Sequence, residues 1–173
     1  LYALSEYGGI YLDTDVEVLK SLDPFLETPF MCFENDDHLS TAIIAADRST
    51  EWIKDVLKKY ESRTFLKDGT MDLTTNVEFI SEEFIKRGLQ VGGEKQVVDG
   101  VIIFPSSYFS PKSWGTGKYY ITEDTFVVHH FAGTWHSTTS RILSVFFSNN
   151  TIIKIASLKE KVLNLIKNGF TKS

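Results

Sequence analysis

The chain has 173 residues, 42% hydrophobic and 24% charged, the size and balance of one ordinary globular domain with a sizeable core. Its formal charge of -5 is uneven: residues 141–173 hold six Lys/Arg against the single Glu160, so this tail is +5 and the remainder -10. An acidic body argues against nucleic acid as a partner, one cysteine (Cys32) excludes a disulfide framework and zinc spacing and favours a reducing, cytoplasmic setting, and no run of ~18 apolar residues spans a membrane.

Leu1, Leu4 and Tyr7 recur at helical spacing, and Gly8-Gly9 supplies the positive-φ stop that commonly ends a helix. Ile10-Tyr11-Leu12 then reads as a short apolar strand aimed at Asp13-Thr14-Asp15. Alternation along this strand puts Asp13 and Asp15 on one side, with Cα atoms roughly 6–7 Å apart, where two carboxylates can bracket one hard cation. An EF-hand starting at Asp13 fails, because its sixth position is Val18 in place of Gly and its twelfth is Pro24 in place of Glu. Paired glycosidase carboxylates normally flank a scissile bond with one of them protonated, which same-face neighbours on one strand do not obviously achieve.

Val16 to Leu19 continues extended, and Ser21-Leu22-Asp23-Pro24 turns the chain. Phe30 to Phe33 and Thr41 to Ala46 read as strands, the second buried, with Cys32 as a core residue. Between them Glu34, Asn35, Asp36 and Asp37 form either a solvated turn or the lining of a binding cleft. A helix runs from Ser49 to about Glu61 with Trp52, Ile53, Val56, Leu57 and Tyr60 on one face. A second spans Asp72 to Arg87, ended by Gly88, where Thr75 and Asn76 either cap the helix, the favoured reading, or reach a bound ligand. Val101 to Phe104 is a strand stopped by Pro105, and the Ser-, Gly- and aromatic-rich stretch 106–117 is a loop. A last apolar strand, Phe126-Val127-Val128, delivers His129 and His130 ahead of Gly133-Thr134-Trp135. By alternation only one of the two imidazoles faces the aspartates, and a neutral imidazole suits Mn²⁺ as a third ligand. In the tail, Ile152, Ile155, Leu158, Val162 and Ile166 run with Lys154, Lys159, Lys161 and Lys167 in a helical pattern. That pattern fits a terminal helix packed on the domain, or a basic amphipathic surface making peripheral contact with anionic membrane.

The run Tyr7-Gly8-Gly9-Ile10-Tyr11-Leu12-Asp13-Thr14-Asp15-Val16, preceded by Tyr2-Ala3-Leu4 and followed by Leu22-Asp23-Pro24-Phe25-Leu26, resembles the Asp-x-Asp glycosyltransferases of the sugar-binding-region type, glycosyltransferase family 32. These include yeast initiating mannosyltransferases, bacterial capsule and lipopolysaccharide sugar transferases and, more distantly, clostridial glucosylating toxins. The resemblance implies an α/β fold of the GT-A-like nucleotide-diphospho-sugar transferase type, a nucleotide-sugar donor, Mn²⁺ or Mg²⁺, and retention of anomeric configuration. It implies Asp15 as direct metal ligand and Asp13 on the ion or the donor ribose. His129 or His130 then completes the shell, and Trp135 packs over the diphosphate or base. The six-residue spacing from His129 to Trp135 favours His129, while the His130-to-Gly133 spacing keeps His130 in play, with Thr134 and Ser137 next.

Because the chain begins at Leu1, almost at the metal motif, it is expected to lack the N-terminal nucleotide-binding part of such a domain and to bind donor poorly by itself. Residues 1–148 are then the catalytic portion and 149–173 the basic amphipathic helix. The expected activity is hexose transfer to a glycan or lipid-linked acceptor in polysaccharide biosynthesis, such as capsule. A glycoside hydrolase or a non-catalytic carbohydrate-binding protein are the alternatives.

Overall fold

The computed structural model describes residues 1–64, 66–67 and 69–132, so Trp135 and the tail 149–173 lie outside the described residues. In chain order it contains helix α1 (Tyr2–Tyr7), strands β1 (Gly9–Leu12) and β2 (Val16–Val18), a 3₁₀ turn (Asp23–Phe25), β3 (Phe30–Cys32), β4 (Ile43–Ala46) and helix α2 (Glu51–Glu61). A small hairpin of β5 (Leu66–Lys67) and β6 (Thr70–Met71) follows, then helix α3 (Asn76–Lys86), β7 (Gln96–Val98), β8 (Val101–Phe104), the short helix α4 (Ser106–Phe109) and β9 (Val127–His129). Five strands make a mixed sheet in the order β1-β4-β3-β8-β7, in which only β3 and β8 are parallel. Strands β2 and β9 pair antiparallel in a separate ribbon. This mixed α/β architecture is consistent with a glycosyltransferase-like fold. The chain divides into a unit of Leu1–Ser113 with Tyr119–His130, which holds every element above, and a second unit of Trp114–Lys118 with Phe131–Ser173, most of which is outside the described residues.

The central strands are apolar at every position because both faces of the sheet are covered, and alternation sorts their side chains between two cores. Met31, Ile44, Ala46, Val101 and Ile103 face Leu4 of α1, Trp52, Ile53 and Val56 of α2, and Ile80 and Phe84 of α3. Phe30, Cys32, Ile43, Ala45 and Phe104 face Phe25, Phe109 and Val127 on the other side. There Phe25 lies edge-on to Phe104, Phe109 and Phe126 at centroid separations of 5.4, 5.1 and 4.8 Å, a geometry that favours each ring pair by about 0.5–1.5 kcal/mol beyond area burial. Cys32 is fully buried in this layer, and burial pushes its thiol far above the ordinary range, so it is a packing residue.

Gly8 sits at φ +67°, and a Cβ there meets the carbonyl oxygen of Ala46 at 3.1 Å and Asp47 Cα at 3.3 Å. Only glycine fits the turn that carries α1 directly into β1. Three expectations need correcting. Asp13 and Asp15 are not on a continuing strand, since β1 ends at Leu12 and a turn closed by Val16 N–H on the Asp13 carbonyl (3.1 Å) separates it from β2. The second long helix starts at Asn76 rather than Asp72, because the Asp72 carboxylate instead accepts from Thr74 N–H (3.1 Å) and from Arg63 (2.9 Å) and holds the preceding turn. The 106–117 stretch is not all loop: Ser106–Phe109 coils into α4 so that Phe109 enters the aromatic layer.

At the start of α3, Thr75 Oγ1 accepts from Glu78 N–H (3.1 Å) while the Glu78 carboxylate accepts from Thr75 N–H (2.9 Å), a reciprocal capping box. Both orphan amides are satisfied by side chains close at hand. Replacing Thr75 by Ala is expected to destabilise the fold by about 1 kcal/mol, read as a lower urea midpoint with an unchanged slope. No change in midpoint shows the cap to be dispensable.

Candidate metal centre

Strand β1 delivers Asp13 to one rim of the main sheet, where its N–H donates to the Ala42 carbonyl (2.9 Å) and extends the β1–β4 ladder one step past Leu12. The turn then redirects Asp15, whose carbonyl accepts from His130 N–H (3.0 Å), tying it to the end of β9. Register does the rest. Val16 pairs with His129 and Glu17 with Val128, so His129 and Glu17 emerge on opposite faces of the ribbon. His129 Nε2 lies 3.4 Å from Asp15 Oδ1. One ligand atom from each of Asp13, Asp15 and His129 lies within 4.8 Å of the others. Donors around one octahedral ion at ~2.1 Å are separated by roughly 3–4 Å, so a small contraction closes this set on a cation.

The donor chemistry fits such an ion. Two carboxylates and an imidazole match Mn²⁺ well, and Mg²⁺ through the carboxylates. His129 is buried, and burial holds its pKa below the ordinary value against the opposing pull of Asp15 and Asp13; the Lys112 charge adds to the lowering. The neutral imidazole, the form that ligates, is therefore favoured. His130 is not in this cluster. Its Nε2 is 2.8 Å from Glu17 Oε2 and its Nδ1 is 3.1 Å from the Tyr119 hydroxyl, so it joins β2 to the segment before β9. Trp135, Thr134 and Ser137 lie outside the described residues.

Four further side chains belong to this neighbourhood. The Tyr11 hydroxyl donates to Asp13 Oδ1 (2.5 Å), and that bond, with burial and the charges of both aspartates, pushes its pKa up to about 12. Tyr11 precedes Asp13 by two residues, so alternation alone hinted that they share a side. The Lys112 ammonium donates to the His130 carbonyl and lies 5.0 Å over the Tyr119 ring. No local signal connects a lysine so distant in sequence with the Asp pair. Glu34, after β3, has its N–H on the His38 carbonyl (2.8 Å), while Asn35 Oδ1 accepts from Asp37 N–H (2.9 Å) and His38 N–H (3.0 Å). Asn35 and Asp37 thus build a turn, whereas the Glu34 carboxyl is largely withdrawn from water near Asp13. Burial first, and Asp13 second, push its pKa up to about 7. Asn76, beyond capping, donates through Nδ2 to Thr41 Oγ1 (3.0 Å) on the same rim.

A family model described as glycosyltransferase sugar-binding region containing DXD motif matches residues 1–31, which include α1, β1 and the Asp13–Asp15 turn. The match suggests a glycosyltransferase and, through the DXD motif, a divalent ion and a nucleotide-sugar donor. Neither the curated proteins nor the solved structures compared with the chain include a match.

Glu34 makes stability depend on pH. Its pKa is about 7 in the fold against 4.5 ordinarily, so between those values the native state keeps a proton that the unfolded chain has lost. The stability it confers is full below the lower value and is lost as pH rises through the upper one. Glu34→Gln is expected to lose less thermal stability than the wild type between about pH 5 and about pH 8, a difference of several degrees in Tm. Parallel pH profiles for the two proteins contradict this placement of Glu34.

Proposed function

We propose that this chain carries the metal site of a GT-A-like glycosyltransferase that moves a hexose from a nucleotide-sugar donor to a glycan or lipid-linked acceptor, with retention, in polysaccharide biosynthesis such as capsule assembly. The observation that carries the reading is the convergence of Asp13, Asp15 and His129 inside and opposite the matched segment. When bound, Mn²⁺ or Mg²⁺ supplies Lewis-acid stabilisation of the charge that develops on the departing nucleoside diphosphate. Asp15 is the direct ligand. Asp13, held by Tyr11, orients toward the ion or the donor ribose, and neutral His129 completes the protein's share of the shell. His130 frames the site through Glu17 and Tyr119.

The acceptor is assigned to the rim formed by Glu34, Thr41 and Asn76. Trp135 is assigned to the diphosphate or base, and the basic tail 149–173 to peripheral contact with the cytoplasmic face of a membrane carrying the acceptor. These three assignments rest on sequence pattern and on the position of that rim beside Asp13.

One observation favours a second reading. Glu34, its carboxyl largely withdrawn from water near Asp13 and its pKa pushed up, resembles the protonated acid that a glycoside hydrolase uses. Hydrolysis needs neither nucleotide nor metal, so the two readings separate cleanly in assay.

The test is binding of Mn²⁺ and of nucleoside diphosphate to the full chain by calorimetry, with Asp15→Asn, Asp13→Asn, His129→Ala and His130→Ala alongside. Asp15→Asn is expected to abolish metal-dependent binding, a loss above ~2 kcal/mol, with Asp13→Asn severe but weaker. His129→Ala should weaken Mn²⁺ at least tenfold, about 1.4 kcal/mol, and His130→Ala far less. Unchanged Mn²⁺ affinity in Asp15→Asn, or glycan hydrolysis that survives a chelator, rules the transferase reading out.

A further inference from the structure

The charge balance of the proposed site is incomplete. Asp13 and Asp15 already offset a divalent ion, so an incoming diphosphate meets a cation whose charge is neutralised. A further positive charge aimed at the same place is needed for tight phosphate binding. Among the described residues that act on His129, Lys112 is the cation.

Its position is fixed by structure on two sides. Pro111 and Lys112 sit at the base of a loop closed by the Lys112–Tyr119 bridge and by Tyr120 N–H on the Pro111 carbonyl (2.8 Å). From there the side chain crosses the Tyr119 ring at 5.0 Å and reaches the carbonyl of His130, the residue after the proposed ligand and the one whose N–H binds Asp15. Tyr119 is itself held to His130 at 3.1 Å and His130 to Glu17 at 2.8 Å, so the ring that supports the ammonium is anchored. An ammonium has three donors. A single carbonyl takes one of them and sets the direction of the others.

We infer that Lys112 is a phosphate-binding cation of this site, reaching an oxygen of the nucleoside diphosphate from the β9 side while the Asp13–Asp15–His129 ion holds it from the other. The inference rests on the metal-dependent transferase reading above and adds a residue remote in sequence from the matched segment. In the transfer step the bond between the sugar's anomeric carbon and the diphosphate oxygen breaks, and the electron pair stays on that oxygen. The acceptor hydroxyl oxygen forms the new bond to that carbon, and its proton passes to the departing diphosphate oxygen. Lys112 stabilises the charge left on the departing phosphate and does not itself exchange a proton.

The test uses the full chain, titrated first with Mn²⁺ alone and then with UDP and GDP at saturating Mn²⁺. Lys112→Gln is expected to leave Mn²⁺ affinity within about twofold and to weaken the bound nucleoside diphosphate about tenfold or more, with a shallower dependence on salt. Lys112→Arg is expected to recover most of the affinity. Intact Mn²⁺ binding with unchanged diphosphate affinity and salt dependence in Lys112→Gln overturns the inference and leaves the metal site standing. A loss that Lys112→Arg does not recover assigns the residue to holding the loop and also overturns it. Absence of Mn²⁺ binding in the wild type removes the metal-site reading and this inference with it.

Discussion

The pairing of β2 with β9 is the constraint on which the candidate site depends. It joins residues more than a hundred positions apart through three register pairs and the bond from His130 N–H to the Asp15 carbonyl. Because strand side chains alternate, a slip of one residue would exchange the faces of His129 and His130 and turn the buried imidazole outward. The register is not held by the ribbon alone. Val127 enters the layer with Phe30, Phe104 and Phe109, Val16 packs against the same cluster, and Phe126 N–H donates to the Tyr108 carbonyl (2.8 Å). Aromatic packing therefore determines which histidine meets the aspartates.

Given that geometry, the site gathers negative charge by construction. Asp13 and Asp15 are brought into one small volume with Glu34 withdrawn from water near them, and each neighbour moderates the repulsion in a different way. Tyr11 donates a hydrogen bond to Asp13, His129 approaches Asp15, and Glu34 retains its proton up to about pH 7. These are partial compensations, so the arrangement is poised for a cation, which relieves all of them at once.

Much of this was legible in the sequence wherever a local rule governed the outcome. Gly8 ended α1 because its conformation and the nearby Ala46 carbonyl exclude a side chain, and the apolar runs at Phe30–Phe33 and Thr41–Ala46 announced strands, the second of them buried. The Asp13–Asp15 pair was read from its sequence pattern, but a turn, rather than alternation along one strand, brings the two carboxylates together. Glu34 looked like one of four polar residues after a strand, and only tertiary burial separates it from Asn35 and Asp37. Lys112 carried no signal, since its relation to the site comes through a loop closure and a ring contact that no periodicity encodes.

The tandem histidines show how one short element can serve two purposes. His129, on the buried side of the ribbon, is kept neutral by burial and is suited to an ion. His130, one residue later and on the other side, bridges Glu17 to Tyr119, and its carbonyl receives Lys112. A single strand end thus presents an imidazole inward while its next residue fastens β2, Tyr119 and Lys112 around it. Movement of that frame would alter the position of Lys112 and, through the His130 amide, of Asp15. On the proposed reading, His130 is thus the residue that joins the metal side, through Asp15, to the phosphate side, through Lys112.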